Sequence, residues 1–453
     1  MKKFLAIILA ILMFPSYLFS FLPSQADTEF ALESNVSADG TAQIGGNSVE
    51  YTKTSQGGKT VFDFAQADCG WFNYFGIKYT SDAYMKGEIT YTLTAGDYTE
   101  EFFLEPSETP ADFRSFIDGY LDKKKSKYLT SLSFEPLNKS EAEFNLLGVS
   151  FFNREIPDRE VYIQTEEYKL GVDLQWGGAL SYLEDLNSSV EAVEKDGRIF
   201  VDSNASERYG AKAVNKNVNL INRFDPGRLI QQSYYGTPDY EQGIYNDTPW
   251  NYNPVQGGNQ FGECSKIVDL ICTENSLYVK CRPLDWAKPA DCITPSYMEA
   301  TYTISGGTVG VECRFVDFSG LPTWYTSQEI PAFYCVEPFN RFVYCKDGEL
   351  AYENNLIFWP DAGYPMFKSS ENWAAFTGEF DDSFGIGIYV ADAQEFLAGV
   401  FSRETTTSRD PSVDPATSYI AAIEFLDFQS FSPIEYDYLI ATGTAAEIRA
   451  KFN

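Results

Sequence analysis

The segment from Asn219 to Gly258 is dense in side chains that form hydrogen bonds in fixed planes. Amides and guanidinium groups offer paired donors and acceptors to vicinal hydroxyls or carboxylates, and aromatic rings offer flat apolar faces. This combination predicts a saccharide site. In the alternative interpretation, Gly and Pro mark tight connections between strands and the amides satisfy buried backbone groups. The candidate binding residues are Arg223, Arg228, Gln231, Gln232, Tyr234, Trp250, Asn253 and Gln256.

Hydrolysis of a glycosidic bond needs two carboxyl groups, one protonated and one ionised. Asp225 lies between Arg223 and Arg228, whose charges favour the ionised form, although an ordinary salt bridge is the alternative. Glu329 has apolar neighbours in the sequence and fits the protonated role. The further candidates are Glu371, with Asn372 and Trp373 beside it as binding residues, and Glu263.

Two other activities remain open at the same segment. A polysaccharide lyase removes a proton next to a uronate carboxylate, and Tyr234 or Tyr235 would be the base and acid while Arg228 or Arg223 holds the carboxylate. A non-catalytic glycan-binding protein would instead use exposed rings as stacking platforms. The candidate platforms are Trp176, Trp250, Trp286, Trp324 and Trp373.

The 453 residues include no histidine, which excludes Ser-His-Asp catalysis, Cys-His catalysis and histidine-ligated zinc. The eight cysteines show no CxxC spacing, so most are expected to be free and packed in strands. No cofactor is expected. The acidic turn Glu379–Asp382 is compatible with a structural Ca²⁺ ion, or simply with a solvated loop.

The start of the chain predicts export. Lys2 and Lys3 precede an apolar run from Phe4 to Phe14, and a small-x-small pattern ends at Ala26, so residues 1–26 are interpreted as a signal peptide. No membrane anchor follows, and a secreted, bacterial protein is expected. A formal charge of -31 disfavours nucleic acid and anionic membranes as partners. The expected partner is a poly- or oligosaccharide, and the oligomeric state stays open.

The candidate residues lie among segments that alternate between apolar and polar residues, which is typical of antiparallel strands. Residues 27–155 predict a β-sandwich of jelly-roll type, similar to the accessory domains of secreted polysaccharide-degrading proteins, with one helix over Ala111–Lys125. The polar segment 153–159, which includes Pro157, marks the boundary. Residues 160–453 predict a large antiparallel sandwich with glycine turns at Gly177–Gly178 and Gly306–Gly307, so the chain as a whole is expected to be all-β.

The second domain resembles the galactose-mutarotase-like supersandwich. The resemblance rests on LGVDLQWGGALSYLED followed by VNLINRFDPGR, and on GRLIQQSYYG, WNYNPVQGG, QEIPAFY and ENWAAF at 227–236, 250–258, 328–334 and 371–376. It implies a carbohydrate-active protein. The aldose epimerases of that superfamily use histidines, so the absence of histidine argues against mutarotase activity.

Overall fold

The computed structural model describes residues 73–93, 96–117, 128–140, 142–152, 154, 158–215, 218–289, 292–354, 356, 364–379, 382–393, 395–402 and 410–453, and the backbone of strands between residues 28 and 68. The predicted signal peptide and Cys69 lie outside these residues. The chain divides into two compact units, one ending at Ile156 and the other covering Pro157–Asn453, with Leu137–Lys139 grouped with the second.

The smaller unit is a pair of antiparallel sheets with strand orders β3-β4-β11-β6-β9, where β1 also pairs with β11, and β2-β5-β10-β7-β8. The strands are β1 Thr28–Glu29, β2 Val36–Ala38, β3 Gly40–Gly45, β4 Ser48–Lys53, β5 Thr60–Asp68, β6 Tyr74–Ser81, β7 Met85–Leu93, β8 Gly96–Leu104, β9 Ser107–Phe116, β10 Tyr128–Pro136 and β11 Ala142–Phe152. Aromatic contacts join the sheets: the rings of Phe75 and Phe102 are 5.7 Å apart, and those of Phe134 and Phe144 are 4.5 Å apart. A β-sandwich results.

The helix predicted over Ala111–Lys125 is wrong for its first half, because Ser107–Phe116 is a strand that pairs with β6. Phe113 and Ser115 point into the sandwich, and the ring of Phe113 stacks on Phe102 at 5.2 Å. Pairing and burial in the sheet therefore override the apparent helical spacing of the apolar residues. Residues 118–125 lie outside the part of the chain that the structure describes.

The larger unit has two large antiparallel sheets. One has the order β12-β13-β14-β18-β27-β34-β33-β30 with β21 and β24 attached, and the other has the order β22-β23-β25-β26-β35-β32-β31-β28-β29. Smaller sheets are formed by β16-β15-β17 and β19-β20. The strands are β12 Glu160–Gln164, β13 Tyr168–Asp173, β14 Ala179–Asp185, β15 Val190–Lys195, β16 Arg198–Ser203, β17 Ala213–Asn215, β18 Ile230–Ser233, β19 Gly243–Tyr245, β20 Thr248–Trp250, β21 Pro254–Val255, β22 Lys266–Cys272, β23 Ser276–Arg282, β24 Leu284–Asp285, β25 Ser296–Ser305, β26 Thr308–Asp317, β27 Trp324–Val336, β28 Phe339–Lys346, β29 Glu349–Glu353, β30 Met366–Lys368, β31 Trp373–Gly378, β32 Gly385–Tyr389, β33 Glu395–Phe401, β34 Thr417–Phe428 and β35 Ile434–Gly443.

Glycine turns set the register of this unit as predicted. Gly306 and Gly307 both have positive φ and join β25 to β26 in a ten-residue ladder. Between β13 and β14, a 3-10 turn over Leu174–Trp176 ends at Gly177, where φ is +60°. A Cβ atom at Gly177 would lie 2.0 Å from the carbonyl oxygen of Gln256, so only glycine fits this approach.

Buried contacts hold the two large sheets face to face. The ring of Tyr234, next to β18, stacks on Phe315 of β26 at 4.2 Å. The Gln232 amide donates to the carbonyl of Glu299, and the Tyr302 hydroxyl donates to the carbonyl of Gly178. The all-β fold class and the supersandwich arrangement predicted for this unit are therefore confirmed.

Two short α-helices complete the described part of the larger unit, α1 over Ala205–Tyr209 and α2 over Ala445–Phe452. A capping box begins α2, since Thr444 accepts from the backbone of Glu447 while the Glu447 carboxylate accepts from the backbone of Thr444. Among the residues with described positions, no helix is long and apolar enough to span a membrane. The seven described cysteines are all free, and four of them are buried, as expected.

Candidate active site on the outer face of the ten-stranded sheet

Strand register brings Glu329 to the centre of four neighbouring strands. Glu329 of β27 lies opposite Ser233 of β18 on one side and Ile423 of β34 on the other, and Ile423 lies opposite Glu395 of β33. Directly opposed residues share one face of a sheet. Because Phe333 and Ile420 point the other way into the core, these residues line the outer face.

Tyrosines surround Glu329 on this outer face. Tyr334 and Tyr419 are opposed across β27 and β34, and their rings stack at 4.4 Å. The ring of Tyr364 lies 6.1 Å from that of Tyr419. Tyr235 points outward because its neighbour Tyr234 points into the core. We call the surface formed by Tyr235, Glu329, Tyr334, Tyr364 and Tyr419 the tyrosine face.

Glu329 is half-buried as a residue, and its carboxyl is enclosed by protein. Burial raises the pKa of Glu329, and the nearby hydroxyls of Tyr419 and Tyr235 offset part of that rise. The Tyr419 hydroxyl is buried and makes no hydrogen bond of standard length and angle among the described residues, although it lies within electrostatic reach of Glu329. A carboxyl in this setting is suited to donating a proton.

The tyrosines respond to the same carboxyl. Burial is the first cause that raises the pKa of Tyr235, Tyr334 and Tyr419, and the charge of Glu329 is the second. The pKa of Tyr364 is raised by the same two causes in the same order. Glu329 is therefore the shared electrostatic centre of the tyrosine face.

Asp225 and Arg228 form an ion pair near Tyr334. Arg228 donates to the Asp225 carboxylate at 2.9 Å, and both charges contribute to the pKa of Tyr334, so the pair lies within reach of the tyrosine face. The backbone of Gly227 also donates to Asp225, at 2.9 Å. A Cβ atom at Gly227 would lie 2.6 Å from the Trp286 ring, so glycine is needed for this close approach.

A second group of aromatic side chains adjoins the tyrosine face. The ring of Trp250 contacts Tyr235 edge-on at 6.3 Å and Tyr245 at 5.0 Å, and Tyr245 lies 5.7 Å from Trp286. The Trp250 indole donates to Asn253 at 3.1 Å, which fixes the ring. Flat, half-buried rings next to an acid and an ion pair make a surface on which a ring-shaped ligand can stack.

The amides of the segment 219–258 do not face this surface, which corrects the sequence prediction. Gln231, Gln232, Asn253 and Gln256 are all buried. Their side chains serve the backbone: Gln231 bridges Pro226 and Gly257, Asn253 donates to Tyr234, and Gln256 donates to Gly177. Tyr234 is buried as well, and its hydroxyl donates to Gln232. Compact connections between strands bury backbone groups, and these amides supply the hydrogen-bond partners that such groups need. This agrees with the alternative interpretation, in which the amides satisfy buried backbone groups.

Arg223 does not flank Asp225 as predicted. Its guanidinium group forms an ion pair with Glu160 and lies 3.7 Å from Asp173. Asp173 also forms an ion pair with Arg159, with 2.7 Å between the guanidinium nitrogen and the carboxylate oxygen. This second charged cluster connects β12 and β13 to the segment after β17, and only Arg228 remains with Asp225.

Glu371, Asn372 and Trp373 lie on the nine-stranded sheet, next to α2. Trp373 is fully buried in a cluster with Ile448 and Phe452, and Asn372 forms a turn with positive φ. Arg449 donates to Glu371 at 2.7 Å, and this interaction lowers the pKa of Glu371 to about 2. We call Glu371, Trp373 and Arg449 the C-terminal clamp; its carboxyl lacks the raised pKa that a proton donor requires.

The remaining acidic candidates have structural partners. Glu263 accepts from the Asn259 amide at 2.6 Å. Asp382 accepts from Arg341 at 2.8 Å and from the Tyr352 hydroxyl. Within the described ranges, no group of three or more Cys, Asp or Glu side chains is arranged to hold a metal ion. Phe380 and Asp381 of the predicted calcium turn lie outside those ranges.

Sequence reasoning missed Tyr364 and Tyr419 as site residues. The signal for Tyr419 is the alternation Tyr419, Ala421, Ile423 and Phe425 along β34, which places four residues on one face. Tyr419 comes to lie beside Tyr334 and Glu329 only because β27 pairs with β34 in this register. The register cannot be read from the sequence of one strand.

No protein-family model and no curated protein matches the chain. Solved structures do show similarity. A galactose mutarotase related enzyme from Lactobacillus acidophilus is 9% identical, with 63% of this chain and 97% of that chain covered and a TM-score of 0.32. A GH36 alpha-galactosidase from Geobacillus stearothermophilus is 8% identical, with 63% and 40% covered and a TM-score of 0.33.

An alpha-mannosidase from Enterococcus faecalis V583 is 9% identical, with 92% of this chain and 45% of that chain covered and a TM-score of 0.32. The chain thus spans less than half the length of these two glycosidases. The predicted resemblance to galactose-mutarotase-like proteins is found again among these structures as a likeness of fold.

Proposed function

We propose that this chain is a secreted carbohydrate-active enzyme, a glycoside hydrolase in which Glu329 donates the proton to the departing sugar. One observation carries the proposal: Glu329 is a half-buried residue whose carboxyl has a pKa raised by burial, at the centre of a surface of aromatic side chains. A general acid of this kind must remain protonated near the working pH and must reach its substrate.

Four other described carboxyls have raised pKa values, and two of them, Asp285 and Asp317, lack that access. Burial raises the pKa of Asp285 to about 6, yet this side chain is buried and accepts from Tyr240 and the backbone of Ala287. Burial also raises the pKa of Asp317, which is held by Ser319, Ser430 and Tyr252. These two carboxyls are internal hydrogen-bond acceptors. The other two, Glu312 and Glu424, have pKa values raised by burial and by a neighbouring aspartate, and no residue of the tyrosine face contributes to either shift. Glu329 is therefore the better proton donor at this surface.

Asp225 is the proposed second carboxyl. It is half-buried and carries its charge in an ion pair with Arg228, which suits a base or a nucleophile. Tyr334 lies within electrostatic reach of both Asp225 and Glu329. Tyr235 and Trp250 supply rings against which a sugar can pack, and Arg228 supplies donors for its hydroxyls.

Elimination is less well supported by the same surface. A tyrosine base must lose its proton readily, whereas burial and the charge of Glu329 raise the pKa of Tyr235. Tyr234, the other predicted base, is inside the core. A glycan-binding protein without catalytic activity would use the aromatic rings and would have no role for Glu329. The experiment therefore distinguishes binding from turnover.

The test compares Glu329→Gln with Glu371→Gln in the exported protein. A panel of neutral and uronate-containing polysaccharides is assayed for new reducing ends and for the absorbance of unsaturated uronates. We expect wild-type protein to release reducing ends and Glu329→Gln to lose turnover by about 10²- to 10⁴-fold, since that is what a positioned general acid contributes. Glu371→Gln removes an equal carboxyl outside the tyrosine face and should retain turnover.

Other outcomes would overturn the proposal. Full activity of Glu329→Gln would remove Glu329 from the chemistry, and a product that absorbs as an unsaturated uronate would establish elimination. Binding of a glycan without turnover by the wild-type protein would make it a binding protein. If no glycan is bound or cleaved, the carbohydrate assignment itself is wrong.

A further inference from the structure

Two aromatic side chains are exposed to solvent where the start of β27 lies beside the end of β34. Tyr325 is 63% exposed and Phe425 is 57% exposed. Their rings lie 6.1 Å apart with an angle of 35° between the ring planes, so they form a single apolar patch. Tyr419, at the other end of β34, is almost fully buried, and Phe428, at this end but on the opposite face, packs against Tyr252 and Phe315 in the core.

The register of the strands places this patch on the same face as Glu329. Tyr325, Ser327 and Glu329 alternate along β27 and therefore point the same way. Phe425 lies opposite Ser327, just as Ile423 lies opposite Glu329. With a rise of roughly 3.3 Å per residue, Phe425 is displaced by about 7 Å along the strands from the Glu329 row, and Tyr325 by about 13 Å.

Tyr235 lies on the β18 side of Glu329, next to β27. It follows β18, and its backbone is held against β27 by the Gln328 amide, which accepts from its N–H at 2.7 Å and donates to its carbonyl at 2.8 Å. Its side chain reaches the Glu329 carboxyl and also contacts Trp250. Tyr235 and Tyr419 thus lie on either side of Glu329, and Phe425 lies further along β34 on the same face and is more exposed.

The neighbours of the patch favour a hydroxyl-rich occupant. Asp427 is exposed opposite Tyr325, and Ser327 is half-buried opposite Phe425, so acceptors and a hydroxyl lie beside the rings on the same face. A ring that packs on an aromatic side chain while its hydroxyls reach such groups is well matched to this arrangement. The chain's formal charge of -31 disfavours an anionic membrane as the occupant.

We propose that Tyr325 and Phe425 form a second sugar-binding position for the same saccharide chain that reacts at Glu329. The inference rests on the proposed function and refines its substrate class: an oligo- or polysaccharide that extends along β27 and β34, rather than a single sugar. The distance of about 13 Å along the strands exceeds the length of one sugar ring, so only a linked chain can occupy both positions.

The experiment measures binding of ladders from two to six sugars, prepared from glucan, mannan, xylan, chitin and polygalacturonate, by calorimetric titration. We expect wild-type protein to bind the six-sugar member of at least one ladder about 10-fold more tightly than the two-sugar member. Tyr325→Ala/Phe425→Ala should abolish that gain and leave binding of the two-sugar member unchanged. Tyr325→Phe/Phe425→Tyr keeps both rings and should retain the gain. Tyr98→Ala removes a 40%-exposed tyrosine of the smaller unit and should also retain it.

Each result separates this inference from the proposed function. Equal affinity of wild-type protein for short and long members, or an equal loss of both in the double alanine variant, would overturn the second position and leave the Glu329 site intact. A chain-length gain that persists in the double alanine variant would also overturn it. If wild-type protein binds no ladder, the proposed function falls and this inference falls with it.

Discussion

The tyrosine face and the C-terminal clamp each hold a glutamate that looks equally suited to catalysis in the sequence. Glu329 and Glu371 both lie beside aromatic residues at strand positions or turns. Burial raises the pKa of Glu329, whereas hydrogen bonds from Arg449 lower the pKa of Glu371 to about 2. The partner that decides the second case lies 78 residues away in the chain, so local sequence does not reveal it.

The two regions also differ in what their polar atoms do. At the C-terminal clamp, the Glu371 carboxylate accepts hydrogen bonds from the Arg449 guanidinium group, the Trp373 indole and the Asn453 amide. On the tyrosine face, Glu329 is partly exposed, and the Tyr419 hydroxyl lacks a hydrogen bond of standard geometry among the described residues. Groups whose hydrogen bonds are all made within the protein stabilise the fold. A carboxyl that makes few such hydrogen bonds is available to bind a ligand.

The largest effect on stability is expected from Trp373→Ala at the C-terminal clamp. Trp373 is fully buried against Phe452 of α2, so truncation leaves a cavity and should lower the free energy of unfolding of the larger unit by about 3–5 kcal/mol. Urea denaturation measures the change. Phe425→Ala is the matched control, because it removes an exposed ring and should change stability by no more than about 0.5 kcal/mol. A loss below about 1 kcal/mol for Trp373→Ala would contradict the role of the clamp.

Arg449→Met tests the charge pair of the clamp. The folded-state pKa of Glu371 is about 2, below its ordinary value of 4.5, so the pair stabilises the fold above about pH 4.5. This contribution is lost as the pH falls towards 2. We therefore expect the variant to be less stable than wild-type protein at pH 7, with the difference narrowing from pH 4.5 to pH 2. Denaturation midpoints across this range measure it. The same variant made in a Glu371→Gln background should show no narrowing, and a constant difference in both backgrounds would refute the assignment.

Glu329→Gln should show a pH dependence of the opposite sign. Because the folded-state pKa of Glu329 lies above 4.5, the contribution of Glu329 to stability is highest below about pH 4.5 and falls as the pH rises through the folded-state pKa. Glutamine does not titrate, so the variant should gain stability relative to wild-type protein between pH 4.5 and pH 8. Denaturation midpoints at these two pH values provide the measurement. A relative loss that grows with pH would show that Glu329 is stabilised as an anion.

Alternation and glycine turns made much of the fold predictable from the sequence. The hairpins at Gly177–Gly178 and Gly306–Gly307 form where predicted, because a positive φ at glycine and period-two burial are local properties. The Ala111–Phe116 strand was not predicted, since its apolar spacing also fits a helix and only pairing with β6 decides between them.

The site was predictable only in part, for a related reason. Glu329, Tyr235, Arg228 and Trp250 were identified by residue type, and the structure brings them to one region. Gln232, Asn253 and Gln256 were identified by the same criterion, but strand pairing turns them inward. Residue type reports what a side chain can bind, while the register of distant strands decides whether it faces a ligand or the backbone.

The smallest effect, and the sharpest probe of the tyrosine face, is expected from Tyr419→Phe. The lost hydroxyl is buried without a standard hydrogen bond, so stability at pH 4.5 should change by no more than about 0.5 kcal/mol. Because this hydroxyl lowers the pKa of Glu329, its removal should raise that pKa further and make the variant slightly less stable than wild-type protein at pH 8. Tyr436→Phe also removes a hydroxyl without a standard partner, on β35, and should show no such change between the two pH values. If Tyr419→Phe keeps its pH dependence in a Glu329→Gln background, the hydroxyl acts on another group and the coupling to Glu329 is wrong.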